Sequence, residues 1–246
     1  MQKELVWQRY YQSPEPHTFS NTAPYYREVV NILMKSNVFP GREALHVVMG
    51  GLKGARSARE FLTFFKTLRP DAHDHISFLD MNFFPLQQHF SSFARDGSKA
   101  IQANLDSLPL GEASVDLIFF DFTPDFMDKT TTQQAFNEAR RALRKDGLII
   151  VACENTSLIV EAMSRDLAYK IKFGVPHFSK TLASYLQAAK ISTLTPLLTG
   201  SCHDGAADIL VLSPTSYPPF FLGKDLDLER FREESVLETT RSFRLV

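Results

Sequence analysis

Apolar positions along the 246-residue chain alternate between short uninterrupted runs and longer stretches with helical spacing. After a polar, proline-containing arm (Tyr11 to Asn21), the stretch from Pro24 to Asn37 places Tyr25, Val29, Ile32, Leu33 and Met34 on one helical face, and Pro40 and Gly41 end it. Ala44 to Met49 is a short apolar run that ends in Gly50, Gly51 and Gly54 and passes into a helical pattern over Ala55 to Leu68. A second run, His75 to Leu79, stops at Asp80 and precedes a helical segment over Pro85 to Phe93. Ala100 to Asn104 reads as a third strand, LDSLPLGEAS as a loop, and Val115 to Phe122 as a fourth, almost wholly apolar strand of the kind buried on both faces of a parallel sheet.

Thr131 to Arg144 is an amphipathic helix with Ala135, Phe136, Ala139 and Leu143 inward, and Lys145, Asp146 and Gly147 provide a stop. Leu148 to Cys153 is a fifth strand. A longer helical region from Asn155 to Lys190 breaks around Gly174 and Pro176, and the strand candidates Thr193 to Thr199 and Ala207 to Leu212 are close enough for an antiparallel hairpin. Strands alternating with helices predict a doubly wound α/β fold: a mostly parallel, Rossmann-like sheet of about seven strands closed by that hairpin. The expected organisation is an N-terminal arm (1–23), one domain (24–213) with a lid over about 155–190, and a charged C-terminal extension (214–246) with one amphipathic helix. There are no internal repeats and no low-complexity segment.

Composition narrows the classes. Hydrophobic residues make up 44% and charged residues 22%, an ordinary globular profile. The formal net charge of −1 removes the global attraction that a dedicated nucleic-acid binder needs. Two cysteines, Cys153 and Cys202, are too few for a disulfide scaffold, and no apolar run approaches the roughly 20 residues of a membrane span, which predicts a cytoplasmic protein. The chain holds 21 Phe against seven Tyr and one Trp, rings suited to a core or an apolar pocket. Phe83, Phe84, Phe119, Phe120, Phe122 and Phe126 cluster around the second and fourth strands in sequence.

In an open parallel sheet, ligands bind at the carboxyl ends of strands, where glycine turns let backbone approach a ligand. The first strand ends in such a turn, and Asp80 at the end of the second is placed to accept from ribose hydroxyls. The ordered series ALHVVMGGLKG, ISFLDMNFFPLQ, NLDSLPLGEASVDLIFFD and ARRALRKDGLIIVACEN resembles the successive motifs of class I S-adenosylmethionine-dependent methyltransferases, especially the small-molecule, ubiquinone-biosynthesis type. The resemblance spans about Pro24 to Leu212, with DSLPLGEASVDLI and ALRKDGLIIV its most specific parts. It implies that Gly50, Gly51 and Gly54 flank the methionine portion of S-adenosylmethionine and that Asp80 holds the ribose. By the same resemblance, Asp106 with Leu105 or Ser107 meets the adenine, Met81 packs on the ring, and Asp121 or Phe122 faces the transferred methyl group. Asp116, at the base of the fourth strand, is expected to serve structure.

The chain departs from the family at its first motif. Val48 stands where an acid is usual, and Leu52 where the middle glycine is usual. A partial glycine motif alone also fits a nicotinamide-dependent dehydrogenase, against which the acid loop and the terminal hairpin argue. Lys53 is a candidate for holding a carboxylate or phosphate, and Tyr10, Tyr11, Tyr25 and Tyr26 for covering the cofactor. On the acceptor side, His177, His203 (beside Asp204) and Asp121 are the candidate bases, whereas His46 is most simply structural. A metal alternative rests on Asp121, Glu154 and Asn155, three oxygen ligands at adjacent strand ends, and the ENTS segment that holds the last two is similar to metal-dependent catechol-type O-methyltransferases; without a metal, Glu154 and Asn155 would cap the next helix. The function expected is methyl transfer from S-adenosylmethionine to a small apolar or aromatic acceptor, with the C-terminal extension as a candidate homodimer contact. The competing reading is a methyltransferase-like scaffold or partner subunit without cofactor affinity.

Overall fold

The apolar runs form one eight-stranded sheet in the order β3-β2-β1-β4-β5-β7-β6-β8. The strands are β1 (His46–Gly50), β2 (His75–Asp80), β3 (Lys99–Gln102), β4 (Val115–Asp121), β5 (Leu143–Glu154), β6 (Thr195–Cys202), β7 (Ala207–Ser213) and the two-residue β8 (Leu226–Asp227). The helices among the described residues are α1 (Phe19–Lys35), α2 (Ala55–Leu68), α3 (Lys129–Ala142), α4 (Ile159–Phe173) and α5 (Leu182–Ile191), with a 3-10 turn over Thr123–Phe126. This computed structural model describes residues 10, 19–52, 55–82, 86, 97–155, 159–202, 207–215 and 226–227. Strands β1 to β5 pair in parallel; β7 runs antiparallel between β5 and β6, as the hairpin predicts. Gly54, Lys53, His203, Asp204, Tyr11, Phe83 and Phe84, nearly all of the segment 85–93 and the proposed C-terminal helix lie outside the described residues.

The central strands are buried on both faces, which is why their sequences run apolar without alternation. On one face Met49, Phe78, Leu117, Phe119 and Ile150 pack under α1 and α2; on the other Val48, Ile118, Phe120 and Ile149 meet α3 and α5. Much of the phenylalanine excess is core. Phe61 of α2 sits 5.1 Å from Phe119, 5.2 Å from Phe19 and 5.9 Å from Phe78 in edge-on contacts. Cys153 and Cys202 are buried on opposite faces.

Two boundaries differ from the sequence expectation. Helix α1 begins at Phe19 and carries Pro24 inside it, because the buried Phe19 ring stacks on Tyr26 at 5.5 Å and anchors the extra turn. Helix α3 ends at Ala142, before the Lys145–Gly147 stop. The amides of Ala113 and Ser114 donate to the Arg141 and Ala142 carbonyls, so the helix end is satisfied and the chain turns straight into β5. Helix α4 stops at the predicted break, where Gly174 takes φ +70° and its N–H closes on the Lys170 carbonyl.

Candidate functional site

At the carboxyl end of β1 the chain turns through Gly51, whose φ of +79° is open to glycine at no steric cost. A Cβ there would collide with the Thr123 side chain, and one at Gly50 would lie 2.6 Å from the Phe120 ring. The turn is held from both neighbouring strands. The Leu52 amide donates to Asp80 Oδ2 at 2.8 Å, and the Thr123 hydroxyl donates to the Gly50 carbonyl at 2.8 Å. Asp80 is buried, and its other oxygen accepts from the Asn82 amide at 2.7 Å.

Asp121 ends β4 in a buried position, where Oδ1 accepts from the Tyr26 hydroxyl at 2.9 Å. Burial, and then the Asp121 charge, push the Tyr26 pKa well above its ordinary value, so the phenol stays a donor. Phe122 follows in the left-handed region (φ 55°, ψ 9°), a strained conformation for a bulky residue. That reversal sends Thr123 toward the glycine turn, while Phe122 packs against the core.

These strand ends enclose a cavity of about 860 Å³ lined by Leu52, Asp80, Met81, Leu105, Asp106, Asp121, Thr123, Phe126, Asp128 and Phe178, with Tyr10, Gly51, Asn82, Pro176 and neighbouring loop residues completing the wall. Its described lining carries four aspartates and no lysine or arginine. The loop bearing Asp106 is fastened from α3: Glu138 accepts from the Leu108 amide at 2.9 Å, and Arg141 donates to the Leu108 and Leu110 carbonyls.

Of the residues singled out from sequence, Gly51, Asp80, Met81, Leu105, Asp106 and Asp121 share this lining, together with Tyr10. Gly50 lies just beneath it, closed off by Phe120 and Leu105. Phe122 and Ser107 are not in the lining: the left-handed backbone turns Phe122 into the core, and Ser107 lies exposed in a turn closed on the Asn104 carbonyl. His177 is also outside the lining. Its ring is buried against Tyr169 at 4.3 Å, with Nδ1 2.8 Å from Asp166 and Nε2 3.7 Å from Glu154. It thus ties α4 to the wall segment instead of facing the cavity. His46 contacts the Ser114 carbonyl and Ser77 hydroxyl, a structural arrangement.

The metal alternative loses its geometry. Asp121 turns to Tyr26, Glu154 to His177, and Asn155 donates to Asp208 at 3.3 Å. Among the described residues no group of three or more His, Cys, Asp or Glu is placed to hold a metal ion. Behind the Phe126 wall sits a group no sequence motif announced. Asp125 is buried, accepts from the Tyr185 hydroxyl at 2.5 Å and from the Glu154 amide at 3.1 Å, and its carbonyl accepts from the Phe178 amide. Burial, then the Glu154 charge, raise the Asp125 pKa to about 6. Thr123 and Asp125 were legible only as residues following an apolar strand; nothing local marks their partners.

Residues 67–151 match the family model of a methyltransferase domain. The match runs from the end of α2 through β5, and so includes the acid loop and the LRKDG turn but begins after the glycine turn. The matched stretch, about a third of the chain, is similar to a methyltransferase domain. S-adenosylmethionine is the cofactor that such a domain takes. Solved structures similar to the chain share its fold at low identity. An S-adenosylmethionine-dependent methyltransferase from Leishmania major has a TM-score of 0.61 at 12% identity over 85% of this chain and 82% of its own. One from Mesorhizobium loti has a TM-score of 0.56 at 15% identity over 72% and 94%. The methyltransferase in a complex with the Trm112 activator from Haloferax volcanii has a TM-score of 0.58 at 13% identity over 82% and 100%. No curated protein matches the chain in sequence. No helix among the described residues is long and apolar enough to cross a membrane.

Proposed function

We propose that the cavity at the ends of β1, β2 and β4 holds S-adenosylmethionine and that the chain methylates a small apolar or aromatic acceptor. The observation that carries this reading is the charge of the lining: Asp80, Asp106, Asp121 and Asp128 with no lysine or arginine among the described lining residues. A cofactor bearing a sulfonium and an ammonium suits that field. The volume, about 860 Å³, is within the range of cofactor and small-molecule sites.

Asp80 would accept from the ribose hydroxyls with the lone pairs its backbone donors leave, while Leu105, Asp106 and the half-exposed Met81 would frame the adenine. When bound, the sulfonium supplies an electrophilic methyl group to a nucleophile placed in line behind it. Asp121, at the β4 end, accepts from the Tyr26 hydroxyl and would present its carboxylate to a cation in the cavity. Tyr10, Phe126, Pro176 and Phe178 give the other wall its apolar surface, which would exclude water and pack an apolar acceptor.

Calorimetry and thermal shift with S-adenosylmethionine and S-adenosylhomocysteine test the reading. Binding to the native state at a hundredfold excess over Kd should add about 2.7 kcal/mol of stability. No stabilisation at saturating ligand would leave the scaffold reading, to which the Val48 and Leu52 replacements point.

A further inference from the structure

The glycine motif is incomplete, yet the turn it should form is built. We infer that Thr123 is a positioning residue for the cofactor site: together with Asp80 it fixes the Gly50–Leu52 turn by side-chain hydrogen bonds. This inference rests on the proposed cofactor site and assigns a role to a residue outside any motif.

Three observations converge on Thr123. Its hydroxyl donates to the Gly50 carbonyl at 2.8 Å, with the Asp121 carbonyl a second acceptor at 3.4 Å. Its side chain lies so close over Gly51 that no Cβ fits there, so the glycine is required by Thr123 within the protein itself. It is aimed there by the left-handed Phe122, a conformation that is strained in a bulky residue and persists only where its surroundings enforce it. The Phe122 amide is tied to the Ala152 carbonyl, and the Asp125 amide closes back on the Phe122 carbonyl.

The opposite side of the turn is held by Asp80, which takes the Leu52 amide. Carbonyl and amide of the same turn are thus gripped from β4 and β2, on either side of β1. With both groups fixed, the Leu52 side chain is confined to a buried position and its backbone stays at the cavity surface. A turn already ordered loses little entropy when a ligand lands on it.

The experiment compares wild type, Thr123→Val and Thr123→Ser for S-adenosylhomocysteine affinity by calorimetry and for hydrogen exchange at the Gly51 and Leu52 amides without ligand. Thr123→Val keeps the branched shape and loses the hydroxyl; we expect affinity to fall about tenfold, with faster amide exchange in the turn. Thr123→Ser restores the hydroxyl and should recover most of the affinity and protection. Equal affinity and equal exchange in wild type and Thr123→Val would overturn the inference. Loss of affinity in Thr123→Val without faster exchange would also overturn it, since the turn would not be what the hydroxyl orders. A wild-type protein that does not bind S-adenosylhomocysteine would instead remove the cofactor reading, while the exchange comparison would still decide whether Thr123 orders the turn.

Discussion

The two ends of β4 each carry a buried aspartate, and the two are partnered in opposite ways. Asp116, at the amino end, accepts from Arg42 at 2.6 Å, from Arg144 at 3.0 Å and from the His46 amide at 2.8 Å. Arg42 also reaches Asp146, and nearby Arg69 pairs with Asp74. Asp121, at the carboxyl end, meets a neutral phenol, and the cavity around it holds only negative charge among its described ionisable residues. A carboxylate satisfied by two guanidiniums is bound to its own protein and has little left for a ligand. One that is buried beside a cavity and held by neutral donors keeps a field for a cation from outside. The same residue type on one strand is thus paired with guanidiniums at one end and with a phenol beside the cavity at the other.

The largest effect expected on this contrast comes from Asp116→Ala. It removes an acceptor shared by two guanidiniums and the His46 amide and should cost about 3 kcal/mol in urea unfolding. In the folded protein, S-adenosylhomocysteine affinity should stay within about twofold, because the site is at the other pole. A loss of stability under about 1 kcal/mol would erase the structural half of the comparison.

Next in size is the pH dependence set by Asp125. Its pKa rises from 3.8 to about 6 on folding, so between those values the unfolded chain has released a proton that the folded chain keeps. Stability therefore falls as pH rises through that window, by about 3 kcal/mol in all, and the penalty is complete above it. Asp125→Asn should flatten the slope measured by denaturant titration between pH 4 and 6. An unchanged slope would mean that another group carries it.

Asp80→Ala sharpens the contrast from the ligand side. It removes the acceptor of the Leu52 and Asn82 amides as well as the proposed ribose contact, and affinity for S-adenosylhomocysteine should fall about a hundredfold. Wild-type affinity in this variant would refute the ribose role. The smallest effect is that of Tyr26→Phe, which takes the donor from Asp121 and should cost about 1–2 kcal/mol of stability, read from thermal unfolding. Stability equal to wild type would show that the Asp121 carboxylate is satisfied without the phenol.

Much of the scaffold was legible because burial on both faces leaves a continuous apolar signature in β4 and β5, and because Gly174 and Pro176 mark the end of α4. The boundaries of α1 and α3 were not, since both depend on distant partners: Phe19 on the core rings, and the end of α3 on Ala113 and Ser114. In the cavity lining, Asp80 was singled out from its place at the end of β2 and Asp106 through the resemblance. Phe122 was expected at the methyl group by resemblance and His177 as a base from its place after the Gly174 break; neither is in the cavity lining.

The sequence by itself determined the alternation of strands and helices, the hairpin and the placing of acids at strand ends, because hydrophobic period and turn residues act over a few neighbours. Only the tertiary structure decided which side chains meet the cavity. One left-handed residue exchanged Phe122 for Thr123, and strand pairing brought Thr123 to Gly50 and Tyr26 to Asp121 across 73 and 95 positions of chain. Contacts between residues so far apart leave no trace in local spacing, since their geometry exists only after the sheet has formed.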